Sequence, residues 1–344
     1  MSKRRGRKKK RNIKKTLLKI FVTLAVIAGI FYFGGFMDMA KDMKQPEPEL
    51  QIYNLNSDQR PVAVIIDNVR DAWPQVGLGD AFLIYEMLVE GGQTRLLAVF
   101  KDQETATIGP VRSARHYYLD YAVENDALFV HHGGSPQAYS DIRSLGINNL
   151  DGMAADGTYF KRDRSRRAPH NSMTSMESIW EYAKKRNLRL TTDVDPLLNY
   201  SVKNVSYEDA EDAKTANSIR INYSRNHWTS FEYNAETKLY SRSMRGVPHK
   251  DGITGAQYTA RNIVIQKVRN TALSGANKGR QQLQNVGRGE GFYITNGFAI
   301  PITWEKSSRS ARTVFKTKAG ELIRINDGVT YIQIMPIDET VTIE

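Results

Sequence analysis

The feature that most constrains this chain is an uncharged stretch, residues 20–37, set directly behind a block of basic residues. As a helix it would rise about 27 Å at roughly 1.5 Å per residue. With residues 16–18 added, that is enough to cross a hydrocarbon core of about 30 Å. The first twenty residues hold eleven Lys and Arg and no acid. Basic flanks stay on the cytoplasmic side, so the sequence predicts a cytoplasmic tail over 1–15, one transmembrane helix over 16–37, and a remainder outside the cell. Tyr32 and its neighbouring Phe residues suit the far interface. The apolar run is longer than a secretory signal core and no Ala-x-Ala cleavage site follows, which reads as an uncleaved signal-anchor. Pro46 and Pro48 disfavour helix and predict an extended linker over 38–59.

The tail also accounts for the charge. Lys and Arg number 49 against 37 Asp and Glu, a formal net charge of +12, yet outside the first twenty residues the count is 38 against 37. A near-neutral body gives no footing for a nucleic-acid partner. The tail is topogenic charge that also attracts anionic lipid. Cysteine is absent, which excludes disulfides, thiol catalysis, Cys-ligated zinc and a lipid-modified cysteine.

Two globular parts follow. Residues 60–200 read as a mixed α/β or α+β domain. Val62 to Ile66 is a β-branched run ending at Asp67-Asn68. Ala81 to Val89 and Thr94 to Phe100 form a hairpin around Glu90-Gly91-Gly92-Gln93. Ser113 is placed to cap a helix over Ala114 to Val123. A strand over Ala127 to Val130 leads through His131-His132-Gly133-Gly134-Ser135 into a helix opened by Pro136. Another helix is expected over 174–187. From residue 201 to 344 short strands separated by turn signals predict a β-rich domain.

Several of these segments recur together and in order: Ile65-Ile66-Asp67-Asn68, Val89-Glu90-Gly91-Gly92-x-Thr94-Arg95, Gly109-Pro110-Val111-Arg112-Ser113-Ala114-Arg115, His131-x-Gly133-Gly134-Ser135 and Pro169-His170-Asn171. The sequence resembles the YerB-like family of Gram-positive envelope proteins over about residues 60–340, with Pro248-His249-x-Asp251 and Arg261-Asn262 similar to its carboxy-terminal part. The resemblance implies two domains and an envelope location, with no established reaction. Many members look like lipoproteins. This chain lacks the lipobox cysteine and carries a helix in its place.

The residues themselves suggest where chemistry lies. A Gly-Pro break before a helix start would free backbone N–H groups, and Arg112 and Arg115 three residues apart would share a helical face; together they would hold a phosphate or carboxylate. The alternative is a structural cap with both arginines paired to Asp67, Glu86 or Glu90. Glu86 and Glu90 share a face of a regular strand, as a pair that holds a divalent cation, does acid–base work on a glycan, or sits in an ion-pair network with Arg95, Arg112 and Arg115. His131 and His170 are candidate bases, with Ser113 or Ser135 as nucleophile. The catalytic candidates are therefore Asp67, Glu90, His131 and Ser113. The ligand-binding candidates are Glu86, Arg95, Arg112, Arg115, Ser135, His170 and Asn171.

The expected function is a membrane-anchored extracytoplasmic envelope protein that binds an anionic or glycan ligand, wall polymer, or a wall enzyme. The alternative is a hydrolase or phosphotransferase acting on wall polymer, assisted by a divalent cation. A third reading, a spacer or scaffold, predicts that the polar candidates scatter over the surface.

Overall fold

A computed structural model of the protein describes residues 15, 18–30, 32, 49–54, 56–273 and 279–344. Of the predicted tail only residue 15 is described, and residues 16–17, 31, 33–48 and 55 of the predicted anchor and linker lie outside the described residues. Residues 18–30 are helical, with Phe21, Leu24, Val26 and Ile30 exposed. No helix among the described residues is long and apolar enough to cross a membrane. The end of the predicted linker belongs to the body: Leu50 and Tyr53 are buried, and Asp327 accepts hydrogen bonds from the backbone N–H groups of Gln51 and Ile52 at 2.7 and 3.0 Å.

Residues 49–344 form one compact unit around an 11-stranded sheet. The amino-terminal half supplies β1 (Val62–Asp67), β2 (Leu83–Leu88), β3 (Thr94–Phe100), β4 (Leu128–His131) and β5 (Asn149–Asp151), with helices α1 (His116–Glu124), α2 (Pro136–Ser144) and α3 (Met176–Lys185). The carboxy-terminal half is β-rich: β6 (Ser218–Ser224), β7 (His227–Asn234), β8 (Leu239–Met244), β9 (Asn262–Val268), β10 (Gly287–Thr295), β11 (Phe298–Lys306), β12 (Val314–Thr317), β13 (Thr330–Pro336) and β14 (Val341–Ile343). The main path through the sheet runs β12-β11-β10-β9-β13-β2-β3-β1-β4-β5. The halves meet where β13 pairs in parallel with β2, Leu83 opposite Thr330 through Met87 opposite Ile334.

This join explains the sequence pattern. β1, β2, β3 and β13 are buried along their whole length, so they read as largely apolar runs, broken by Glu86, Arg95 and Gln333, rather than as alternations. One face packs against β6, β7 and β8 through Ile84, Leu96, Ala98, Ile219, Phe231 and Tyr331. The other packs against α1 and α2 through Ile65, Tyr85, Leu97, Tyr118, Ala122 and Ala138. The smaller sheet, built on β8-β7-β6-β14, has only one face covered, and β8 alternates buried and half-buried positions accordingly.

One local expectation changes. α1 begins at His116 with Arg115 as its N-cap, extended at φ −123°, and no side chain caps it; the hydroxyl of Ser113 donates to the His132 carbonyl instead, at 3.0 Å.

Because the join is a β-ladder with apolar packing on both faces, residues 49–344 are expected to unfold in one transition. Ile332 is fully buried on β13 opposite Tyr85, and Ile332→Ala should cost about 2–5 kcal/mol. Thermal melts followed by far-ultraviolet and tyrosine signals check this; separated transitions for the two halves would contradict it.

Candidate functional site

Strand parity decides which polar residues meet. On β1 and β3, Asp67 and Arg95 are direct cross-strand partners. Both point to the α1 side, as do Ile65 and Leu97 two residues away. Beyond β1 the chain returns beside it in extended form. Val111 bridges Ile66, Asp67 N–H donates to Pro110 O at 2.8 Å, and Arg112 N–H donates to Ile65 O at 2.9 Å. Val111 thus enters the core facing the smaller sheet, and Arg112 turns toward Asp67, Nε to Oδ2 at 3.0 Å. Tyrosines on α1 fix the hairpin end: Tyr117 donates to Leu88 O at 2.7 Å, and Tyr118 donates to Met87 O and Arg95 O at 3.0 Å each. That places Arg115, at the N-cap of α1, against the turn between β2 and β3. There it donates twice to Glu90, at 2.6 and 2.9 Å.

The result is a cleft of about 340 Å³ walled by Asp67, Glu90, Arg95, Arg112 and Arg115, joined by Arg280. Five of the predicted residues therefore converge, and His170 touches the cleft's edge, with Nδ1 2.7 Å from Asp67 Oδ2. Four guanidinium groups face two carboxylates. Asp67 is almost fully buried and held by Arg112 and His170. Burial first, and then the neighbouring Arg115 charge, push the Arg95 pKa down to about 10, so Arg95 stays cationic at neutral pH. Burial alone would raise Glu90, but the hydrogen bonds and charge of Arg115 hold it below the usual carboxylate range.

Arg280 was not singled out by sequence reasoning. It comes from a ribbon of the carboxy-terminal half, Asn270–Ala272 paired with Gln281–Leu283, which docks on α1 through a hydrogen bond between Gln282 and His116 at 2.9 Å. Nothing in its local sequence, Gly279-Arg280-Gln281, sets it apart from other surface arginines.

Other expectations are corrected. Arg112 and Arg115 do not share a helical face, because neither is helical. The backbone N–H groups expected to be free are engaged: Val111 donates to Ser172 O, Arg112 to Ile65 O and Ala114 to Gly133 O. Gly109, at φ +150°, is required there because a Cβ would lie 2.9 Å from Ser172 O. Ser113 has no base beside its hydroxyl. Ser135 caps α2, accepting from Ala138 N–H at 3.1 Å. His131 is fully buried, its ring nitrogens bonded to Gly133 O at 2.8 Å and Asn149 Nδ2 at 2.9 Å. Burial lowers its pKa and keeps it neutral. Asn171 accepts from Arg162 at 3.1 Å, away from the cleft. Among the described residues no group of three or more His, Cys, Asp or Glu side chains gathers to hold a metal ion. The nearest acids, Asp67 and Glu90, are each engaged by arginine.

Glu86 is not in the cleft. β2 ends at Leu88, and Glu90 sits on a 3-10 turn whose Gly91 has φ +68°, so the two acids share no face. Glu86 points instead to the smaller sheet. There it accepts from Arg242 Nη2 at 2.7 Å, Thr94 at 2.8 Å and Thr229 at 3.0 Å, and lies 3.1 Å from His227 Nε2. Arg242 reaches on to His249 Nδ1, and His249 Nε2 lies 2.8 Å from Gln75 Oε1. Glu86, Arg242 and His227 are all fully buried. Burial would raise the Glu86 pKa, but the Arg242 charge and His227 overcome it and hold the carboxyl far below its usual range. Burial and then Arg242 drive the His249 pKa well below its usual value, leaving it neutral.

This network predicts acid sensitivity. A folded pKa below the unfolded one contributes stability at high pH that is lost as pH falls through the interval between them. His249 loses its share below its ordinary value of 6.5, and Glu86 loses its share below 4.5. Arg242→Met should cost about 3–5 kcal/mol by stranding the Glu86 charge. The double variant Glu86→Gln, Arg242→Met should recover part of that loss and flatten stability against pH below 4.5. Urea titrations across pH read both effects; no recovery in the double variant would refute the ion pair as the source.

Comparison with known proteins places the chain. Residues 50–189 match the N-terminal domain, and residues 219–332 the C-terminal domain, of a protein family of unknown function, DUF3048. A curated relative, YerB of Bacillus subtilis (strain 168), named as a candidate lipoprotein, is 30% identical over 329 residues, covering 93% of this chain and 96% of the relative. The crystal structure of the YerB protein from Bacillus subtilis superposes with a TM-score of 0.74 at 30% identity, covering 87% of this chain and all of that one.

Proposed function

This chain belongs to the DUF3048 family, the two-domain family that includes YerB, and from that premise we propose that it is a membrane-anchored, extracytoplasmic envelope protein that binds an anionic group. The observation that carries this reading is the convergence of Arg95, Arg112, Arg115 and Arg280 on one cleft opposite only two carboxylates. Arginine forks grip oxyanions bidentately. The body's overall charge is near neutral, so such attraction is local rather than a property of the whole surface. Anchoring is supported by the basic tail, by the exposed apolar residues of the 18–30 helix, and by the lipoprotein naming of the relative. A single-pass helix with a cytoplasmic amino terminus would take the place of a lipid here. Wall polymer rich in phosphate or carboxylate is the ligand class that fits.

A second reading, hydrolysis or phosphotransfer on such a polymer, is favoured by the Asp67–His170 pair. Asp67 holds Nδ1 and leaves Nε2 with no hydrogen bond among the described residues, the arrangement of an oriented general base. Turnover of a phosphodiester substrate that His170→Ala abolishes would establish it.

For the binding reading the informative variant is Arg112→Ala, because Arg112 meets Asp67 as an ion pair, Nε to Oδ2 at 3.0 Å, without a hydrogen bond from that nitrogen, and Asp67 keeps His170. Calorimetric titration of the full chain in neutral detergent with an anionic wall polymer should show about a ten- to hundredfold loss of affinity, and weaker binding at high salt. Unchanged affinity in a folded variant would sink the cleft as the site.

A further inference from the structure

Glu90 is the one acid at the centre of the arginines. It takes two parallel hydrogen bonds from Arg115, while Arg95 Nη2 stands 3.9 Å from its Oε2 and Arg280 Nε stands 4.0 Å from its Oε1. Those two guanidiniums are near enough to feel the charge and too far to bond to it. Arg112 lies on the same cleft, ion-paired with Asp67 at 3.0 Å but with no hydrogen bond made by its Nε. The seat therefore offers more donors than the two coplanar oxygens of a carboxylate can engage. A tetrahedral phosphate group presents additional oxygens out of that plane. Glu90 is also held from a turn rather than a strand. Residues Glu90–Gly92 lie outside β2 and β3, Gly91 and Gly92 both have positive φ, and the Glu90 side chain is one-fifth exposed. Asp67 differs on each count: it sits in β1, is 1% exposed, and shares its charge between Arg112 and His170.

We infer that Glu90 is an internal stand-in for the ligand: its carboxylate occupies the seat that a phosphate group takes, so binding requires that Glu90 be displaced from Arg115, and the cleft selects phosphate over carboxylate. The inference rests on the anion-binding reading of the cleft and specifies its ligand chemistry. Displacement has a physical cost, since the Glu90–Arg115 pair must open, and a gain, since phosphate can draw in Arg95, Arg280 and Arg112 together. A ligand bearing one carboxylate merely exchanges one such group for another and gains little.

The test uses the full chain in neutral detergent and inorganic phosphate as probe, with acetate as the carboxylate control. Glu90→Gln keeps the side chain's shape and removes its charge, and should bind phosphate at least about tenfold more tightly than the parent chain. Phosphate should outcompete acetate in both. Glu90→Asp, which withdraws the carboxylate by one methylene, should also tighten binding and serves if the Gln variant does not fold. Weaker or unchanged phosphate affinity in a folded Glu90 variant overturns the stand-in role and shows instead that Glu90 positions the arginines. Preference for acetate overturns the phosphate assignment. If parent and variants alike fail to bind either anion, the anion-binding reading itself falls and this inference with it; if the parent binds and loses affinity on Arg112→Ala, that reading stands whatever Glu90 does. A soluble glycerol-phosphate polymer and vesicles containing phosphatidylglycerol, run on the same variants, separate the two sources of phosphate. A gain on either one supports the inference, and a gain on neither while inorganic phosphate binds more tightly restricts the ligand to a free or terminal phosphate.

Discussion

The parallel ladder between β2 and β13 is the contact on which the rest of the molecule depends. Without it each half would end in a largely apolar edge strand, open to pairing with another chain. With it both edges are satisfied, and the sheet becomes wide enough to be covered on both faces. The two sequence domains of the family are therefore not two bodies on a tether. They share a sheet and two hydrophobic layers. The sheet also separates two kinds of polar chemistry. Residues pointing one way from β2 and β3 build the sealed network around Glu86 and Arg242, while Asp67 and Arg95, pointing the other way from β1 and β3, open into the cleft.

These two polar sites obey different rules. The Glu86–Arg242 pair is fully buried, shielded from bulk solvent, so removing one partner alone is costly. The cleft is partly open, its arginines outnumber its acids, and its charges are arranged so that an incoming anion has something to gain. The same residue types thus serve stability in one place and recognition in the other. The difference lies in exposure and in the ratio of cations to anions.

Much of the amino-terminal half was legible in the sequence. The hairpin around Glu90 and the helix opened by Pro136 carry local signals of turn chemistry and capping, and the structure follows them closely. The cluster of Asp67, Glu90, Arg95, Arg112 and Arg115 was legible because those residues lie in segments that the resemblance brings together. What failed depended on facts that sequence spacing does not hold. Glu86 and Glu90 were grouped by even spacing, and a turn starting after Leu88 broke the period. Ser113 had the residue type of a helix cap, but the chain stays extended for two more residues because Val111 pairs with Ile66. His131 carried the look of a base, and only its burial and bonded ring nitrogens showed it to be structural. Arg280 was out of reach, since its place at the cleft is set by the docking of a distant ribbon on α1.

The cross-strand pairing of Asp67 with Arg95 has an implication for how the cleft could be lost. Side chains alternate along β3, so sliding that strand by one residue against β1 would carry Arg95 to the face now occupied by Thr94 and Leu96. A guanidinium would then enter the apolar layer beneath the smaller sheet, and a threonine or a leucine would stand where the cleft needs a cation. The groups that recognise an anion therefore also act as a checksum on strand alignment: a chain paired out of step would be marked both by a buried unpaired charge and by the loss of its binding surface.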